Sequence, residues 1–313
     1  MSVLALIAFA AALATSEPTP VTAPTPVAAA APIAFSRLSV PDGDGPAIEA
    51  GVWLPKTPAG RLPLVVISHG NGGDFRSHVD TAQALAEAGF AVAALTHTGD
   101  NWRDQSRATD VANRPRQLSV LIDYMLGAWE GRAGLDPKRI GAFGFSAGGA
   151  SVLIAAGGKP DLGRVAEHCR ARPGFYDCRL ISPDQHRIWS QAASTSWRSD
   201  RRIKALVVAA PALGFTFTEA GLADVRQPVQ LWQAEADSIL PAPFYVEPVR
   251  AALPTPPEFH RVEGAAHFDF LTPCTPQLAK VAPAICAPTP GFDRTAFHES
   301  FNREVTRFFV GTL

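Results

Sequence analysis

Beyond residue 32 the chain alternates between short apolar runs and longer segments whose apolar residues recur every three to four positions. Residues 33–40 and 48–54 predict two strands, joined by the turn-forming stretch Pro41-Asp42-Gly43-Asp44-Gly45-Pro46. Residues 62–68 read Leu-Pro-Leu-Val-Val-Ile-Ser with no polar alternation, which predicts a strand covered on both faces. A helix over 76–88 should end at Gly89, and 90–96 predicts another buried strand. A polar loop, 97–114, follows. Pro115 then opens a helix over 115–129 with Leu118, Ile122 and Met125 on one face. Residues 139–145 read as strand and 147–156 as helix.

Residues 157–200 break the rhythm with two Cys, several Pro, two Trp and many charges, and predict an inserted cap folded over one end of a sheet. Alternation resumes with strands at 203–209, 228–233 and 258–263, and helices at 243–253 and 294–309. Strands alternating with helices predict α/β architecture: a mostly parallel, doubly wound sheet with right-handed crossovers, in one domain over 33–313.

The first 32 residues are different. Residues 3–14 are a largely apolar run too short to span a bilayer, and Ala12-Leu13-Ala14 offers a cleavage site. A signal peptide over 1–14 is expected, although no Lys or Arg precedes the run. Residues 15–32, rich in Pro, Thr and Ala, read as a tether. The expected location is secreted or periplasmic. In such a compartment four cysteines favour two disulfides over free thiols. Of the three connectivities, Cys169–Cys178 with Cys274–Cys286 closes two short loops and is the expected one.

Charge narrows the partners. With 28 Lys and Arg against 29 Asp and Glu, the net charge is −1, so neither nucleic acid nor an anionic membrane surface is implied. No Cys or His spacing suggests a metal, no phosphate loop stands out, and no cofactor is expected. A small-molecule substrate remains the expected partner.

The chemistry concentrates in Gly144-Phe145-Ser146-Ala147-Gly148, a G-x-S-x-G pattern. Alone it is a weak signal. Between a buried strand and a small-residue helix it predicts a nucleophile elbow, whose sharp turn requires Gly on both flanks of Ser146. A serine needs a base, and His267 in Gly264-Ala265-Ala266-His267-Phe268 follows the last predicted strand. His260 and His298 fall inside a strand and a helix and read as structural. The imidazole needs an acid. Asp237, at the end of Leu231-Trp232-Gln233-Ala234-Glu235-Ala236-Asp237, is the candidate, with Glu235 its rival. The oxyanion would take the backbone N–H groups of Ala147 and of Asn71 in His69-Gly70-Asn71-Gly72-Gly73.

These motifs together resemble the exported α/β-hydrolases related to dienelactone hydrolase, and the neighbouring platelet-activating-factor acetylhydrolase branch. The resemblance covers residues 33–313. It implies an eight-stranded, mostly parallel sheet, acyl-enzyme chemistry and no cofactor. Two departures stand out: dienelactone hydrolases proper use Cys where this chain has Ser146, and the acid loop opens with Ala234 instead of Gly.

His69 is read as shaping its loop without touching substrate. The charges of residues 97–104 could contact a polar or anionic part of the substrate, and are read instead as a solvated internal network beside the site. Trp102, Phe145, Trp189, Trp197 and Phe268 are candidates for an apolar pocket or for packing alone. The expected activity is that of a serine hydrolase cleaving a carboxylic ester through an acyl-enzyme on Ser146. Acyl transfer on the same residues and a non-catalytic binding module are the alternatives.

Overall fold

The computed structural model describes residues 33–181 and 197–313. The expected signal peptide, the tether and Trp189 lie outside them. An eight-stranded sheet forms in the order β1-β2-β4-β3-β5-β6-β7-β8. Its strands are β1 Ile33–Asp42, β2 Gly45–Pro55, β3 Leu62–Ser68, β4 Ala91–Leu95, β5 Leu135–Phe145, β6 Ile203–Ala209, β7 Val229–Ala234 and β8 Glu258–Val262. β2 pairs antiparallel with β1 and with β4, and every other neighbour is parallel.

Side-chain alternation along the central strands sorts the core into two layers. Leu64 and Val66, Ile140 and Ala142, and Leu206 and Val208 face one way. There they meet Leu118, Leu121, Ile122 and Met125 of α2 (Asn113–Gly127), together with α3 (Ala147–Ala155). Val65 and Ile67, Phe143, and Ala205 and Val207 face the other way. That side is covered by Ala82, Leu85 and Ala86 of α1 (Val79–Glu87) and by Phe301, Val305, Phe308 and Phe309 at the C-terminal helix (Arg294–Thr312). Each fully buried large apolar side chain contributes about 1.5–3 kcal/mol. This two-sided burial explains the uninterrupted apolar runs in the sequence.

The differences from expectation lie at element ends. β5 begins at Leu135, because Leu135 pairs with Leu62 before the register shifts. The helix expected over 243–253 is a short 3₁₀ turn, Ala242–Phe244, followed by Val246–Ala252. The terminal helix runs on to Thr312.

In the insertion, two short helices are described: α4 (Arg164–Ala171) and α5 (Tyr176–Leu180). Cys169 is bonded to Cys178 and Cys274 to Cys286, the two local pairings. Loops this short imply about 2–3 kcal/mol of stabilisation each on the chain-entropy account. Replacing Cys274 with Ser is expected to cost that much in a urea titration. A loss below about 0.5 kcal/mol would contradict it.

A polar cluster joins α1 to the terminal helix. Asp80 accepts from His298 Nδ1 (2.6 Å), from Asn302 Nδ2 (2.7 Å) and from the Thr272 hydroxyl. Burial pushes its carboxyl pKa up, but the His298 bond and charge, with the Thr272 and Asn302 bonds, outweigh this and hold it well below the usual range. A depressed carboxyl stabilises the fold above its unfolded pKa of about 4, and that contribution fades as pH falls further. Asp80→Asn is therefore expected to melt at a temperature less sensitive to pH between 5 and 3 than the wild type. Parallel melting curves for the two proteins would refute it.

Candidate active site

The parallel strands end together at the sheet's carboxyl edge, where open α/β sheets bind ligands. β5 runs into α3 through Ser146, which has φ +57° and ψ −119°, a conformation rarely held by a residue with a side chain. The strain is held in place. Ser146 N donates to Ala209 O (2.9 Å), while its own carbonyl accepts from Ala150 N (3.2 Å) and Ala212 N (2.9 Å). The flanking glycines are obligatory on packing grounds. A Cβ on Gly144 would come within 2.1 Å of Gly148 O, and one on Gly148 within 2.0 Å of Ser68 O.

His267 begins a 3₁₀ turn, His267–Phe270, just past β8. Its Nε2 lies 3.0 Å from Ser146 Oγ and its Nδ1 lies 2.6 Å from Asp237 Oδ2. This geometry assigns the proton of the neutral ring to Nδ1, donated to Asp237, and leaves Nε2 to accept from the serine. Asp237 Oδ1 accepts from Ile239 N (2.9 Å) and Leu240 N (2.7 Å), so both carboxylate oxygens are engaged. The ring of Phe145 packs against His267 at 4.7 Å between centroids. Three sequence candidates, 121 and 30 residues apart, thus meet in one hydrogen-bonded chain. Glu235 does not join it: its side chain accepts from Arg261 and from Gly264 N (3.0 Å), bracing the loop that precedes His267. That loop is also braced from behind. Asp269 accepts from Ala266 N (2.8 Å) and Arg294 Nε (2.9 Å), and its carbonyl is met by His298 Nε2 (2.8 Å).

Asn71 lies with Ser146 and Ala147 on the wall of one cavity. Its side chain is fully committed. Nδ2 donates to Asp100 Oδ1 (2.7 Å) and Gln105 Oε1 (3.0 Å), and Oδ1 accepts from the Tyr176 hydroxyl (2.7 Å). Asp100 in turn pairs with Arg114 (2.5 Å), and both side chains are buried. Burial raises the Asp100 pKa, and Arg114 and further contacts more than offset it, so the net shift is downward. Arg114 also donates to the His69 carbonyl and to Ser151 Oγ (3.0 Å), whose hydroxyl donates to Ala147 O (2.7 Å). One buried guanidinium therefore ties the Asn71 loop to the helix that begins at Ala147. Of the charges in residues 97–104, Asp100 belongs to an internal network, as expected, while Arg103 and Asp104 are exposed. In sequence a buried ion pair looks the same as two exposed charges.

His69 shapes its loop, as expected. Nδ1 donates to Gly70 O (2.6 Å) and Nε2 accepts from His97 N (3.0 Å). Burial, with the nearby Arg114 charge, pulls its pKa down to about 4, so it stays neutral and rigid at ordinary pH. Burial likewise drives His97 well below its usual value. His260 stacks on Trp232 at 4.0 Å.

The four aromatic candidates among the described residues do not line the cavity. Trp102 is 61% exposed with Arg103 over its ring. Trp197 lines a separate cavity beside Ile203 and Pro228, at the amino ends of β6 and β7. Phe145 and Phe268 pack around His267. The cavity walls are aliphatic instead: Val111, Ile181, Leu213 and Leu240, with Leu180 at its mouth. Tyr176, Asp177, Leu180 and Ile181 come from the insertion. Its helix α5 is bolted down twice, by Tyr176 to Asn71 and by the Tyr245 hydroxyl donating to Asp177 Oδ1 (2.8 Å). Burial raises the Asp177 pKa, with the Tyr245 bond opposing it. His168, Asp177 and Cys178 approach one another closely, but the Cys178 sulfur is committed to Cys169 and offers no metal a thiolate.

The model of the dienelactone hydrolase family matches residues 48–179. The matched segment holds the sheet centre, the Asn71 loop and the Ser146 elbow. The chain is dienelactone hydrolase-like. Its sheet and flanking helices are those of the α/β-hydrolase fold. Among curated proteins it is similar to "Putative esterase NocK" of Nocardia uniformis subsp. tsuyamanensis, at 31% identity over 121 residues. That stretch is 36% of this chain and 34% of the relative, so the similarity spans about a third of that protein's length. Asp237 and His267 of this dienelactone hydrolase-like chain lie beyond the family match. Among the described residues no helix is long and apolar enough to cross a membrane.

Proposed function

We propose that this protein is a serine esterase that cleaves a carboxylic ester through an acyl-enzyme on Ser146. The observation carrying the proposal is the continuous chain from Ser146 Oγ through His267 to Asp237, set on a strained turn in the wall of a cavity. The Ser146 hydroxyl gives its proton to His267 Nε2 as Oγ forms a bond to the ester carbonyl carbon. The carbonyl electron pair moves onto oxygen, which the N–H groups of Ala147 and Asn71 stabilise. Because the Asn71 side chain is engaged on three sides, its backbone is the part left to face substrate. Collapse of the intermediate breaks the carbon–oxygen bond to the alcohol, which takes the proton from His267. Water, deprotonated by the same ring, then attacks the acyl-enzyme and returns Ser146. Asp237 holds the ring orientation and stabilises the imidazolium that forms transiently.

The two disulfides are compatible with the secreted or periplasmic location that the N-terminal residues suggest. The esterase reading is tested by assaying p-nitrophenyl acetate and treating the protein with a fluorophosphonate. Turnover together with one modified residue, Ser146, is expected. Absence of both ester turnover and labelling would leave only a binding role.

A further inference from the structure

We infer that the cavity beside Ser146 is the acyl pocket of the proposed reaction and that Leu213, in its wall, sets which acyl chains it favours. The inference rests on the reading of Ser146 as nucleophile.

The side of the ester follows from proton traffic. The departing alcohol oxygen must sit beside His267 Nε2 to receive its proton. The cavity is lined by Ser146, Ala147 and Asn71 but not by His267. It therefore extends from the reacting carbon on the side opposite the leaving group, where the acyl chain lies.

The cavity measures about 70 Å³. It is also partly open, so its volume sets no sharp limit on chain length. Its aliphatic walls favour a plain hydrocarbon chain. Longer chains would have to emerge past Leu180, which is 41% exposed at the mouth.

Leu213 is singled out by its backbone. It holds φ +56° and ψ 19°, a left-handed conformation that glycine adopts freely and leucine does not. The loop cannot relax. Ala212 N is bonded to the carbonyl of Ser146 itself, and a Cβ on the following residue, Gly214, would overlap the Tyr245 backbone at 1.7 Å. A leucine kept where glycine would fit without strain marks a position whose side chain is used. That side chain, 9% exposed, packs in the cluster with Leu240 and Tyr245 and closes the cavity wall next to the nucleophile.

The test measures kcat/KM on p-nitrophenyl esters from acetate to dodecanoate, and on acetates of alcohols from methanol to octanol. The wild type should vary by more than about 10-fold across the acyl series, since methylenes that a pocket cannot seat are costly. The alcohol series should vary less than about 10-fold. Leu213→Ala should raise the octanoate-to-butyrate ratio about 10-fold. Leu180→Ala, at the open mouth, should raise it in the same direction, and stands in if Leu213→Ala does not fold. A flat acyl series, a steep series on the alcohol side alone, or a ratio that neither variant moves would overturn the inference while leaving the esterase reading intact. Failure to hydrolyse any ester in either series would defeat that reading, and the inference with it.

Discussion

Ser146→Ala is expected to lower ester turnover by about 10⁶-fold and to abolish fluorophosphonate labelling, while leaving the melting temperature within a few degrees of wild type. The magnitude follows the handling of a nucleophile that acts as one unit with its base: in subtilisin, removing the serine alone costs about as much as removing all three partners, roughly 10⁶-fold in kcat. Folding should survive because the substitution deletes one oxygen whose partner is the His267 ring, and the turn is held by backbone bonds to Ala209, Ala150 and Ala212 that alanine keeps. The positive φ is unchanged for alanine, so the strain is neither relieved nor increased. Intact-mass analysis of both proteins after labelling, alongside the assay, gives the answer. Equal labelling of wild type and variant would remove Ser146 from its role.

The second expectation concerns the acid. Asp237→Asn should reduce turnover on the order of 10⁴-fold, the cost of the equivalent change in serine proteases, because an amide can donate where the carboxylate only accepts. At this site Asp237 Oδ2 faces His267 Nδ1 at 2.6 Å and Oδ1 takes two backbone N–H groups. An Asn oriented to keep the backbone bonds turns its NH₂ toward the ring. His267 would then bind it best with the proton on Nε2, the nitrogen that must accept from Ser146. Glu235→Gln, by contrast, disturbs only the brace to Arg261 and Gly264 and should cost less than about 10-fold. The decisive comparison is the pair of variants assayed side by side. A dead Glu235→Gln with an active Asp237→Asn would reverse the assignment.

Local physics made much of this chain legible from sequence. The nearly continuous apolar runs at 62–68, 140–145 and 205–209, short and bounded by turn residues, point to strands covered on both faces, because exposing them would leave large apolar area in water. The order of strands and helices then dictates a mostly parallel sheet. Glycines around Ser146 betray the elbow, because the backbone there admits no Cβ. Asp237 and His267 were recoverable as ends of strands, since parallel strands deliver their following loops to the same edge.

The tertiary structure alone decided how those loops meet and what surrounds them. The sequence put Asp237 ahead of Glu235, but the bend that turns one carboxylate toward His267 and the other toward Arg261 is tertiary, and two acids two residues apart carry no sequence mark of it. The Arg114–Asp100 pair, the Tyr176 hydroxyl on Asn71 and the aliphatic wall at Leu213 are likewise long-range coincidences, between residues 14, 105 and 67 positions from their partners. Burial turns ordinary charges and hydroxyls into rigid supports by removing the water that would otherwise compete for them. Water access is a property of the assembled fold, which is why the supports around Ser146 were invisible where the elbow itself was plain.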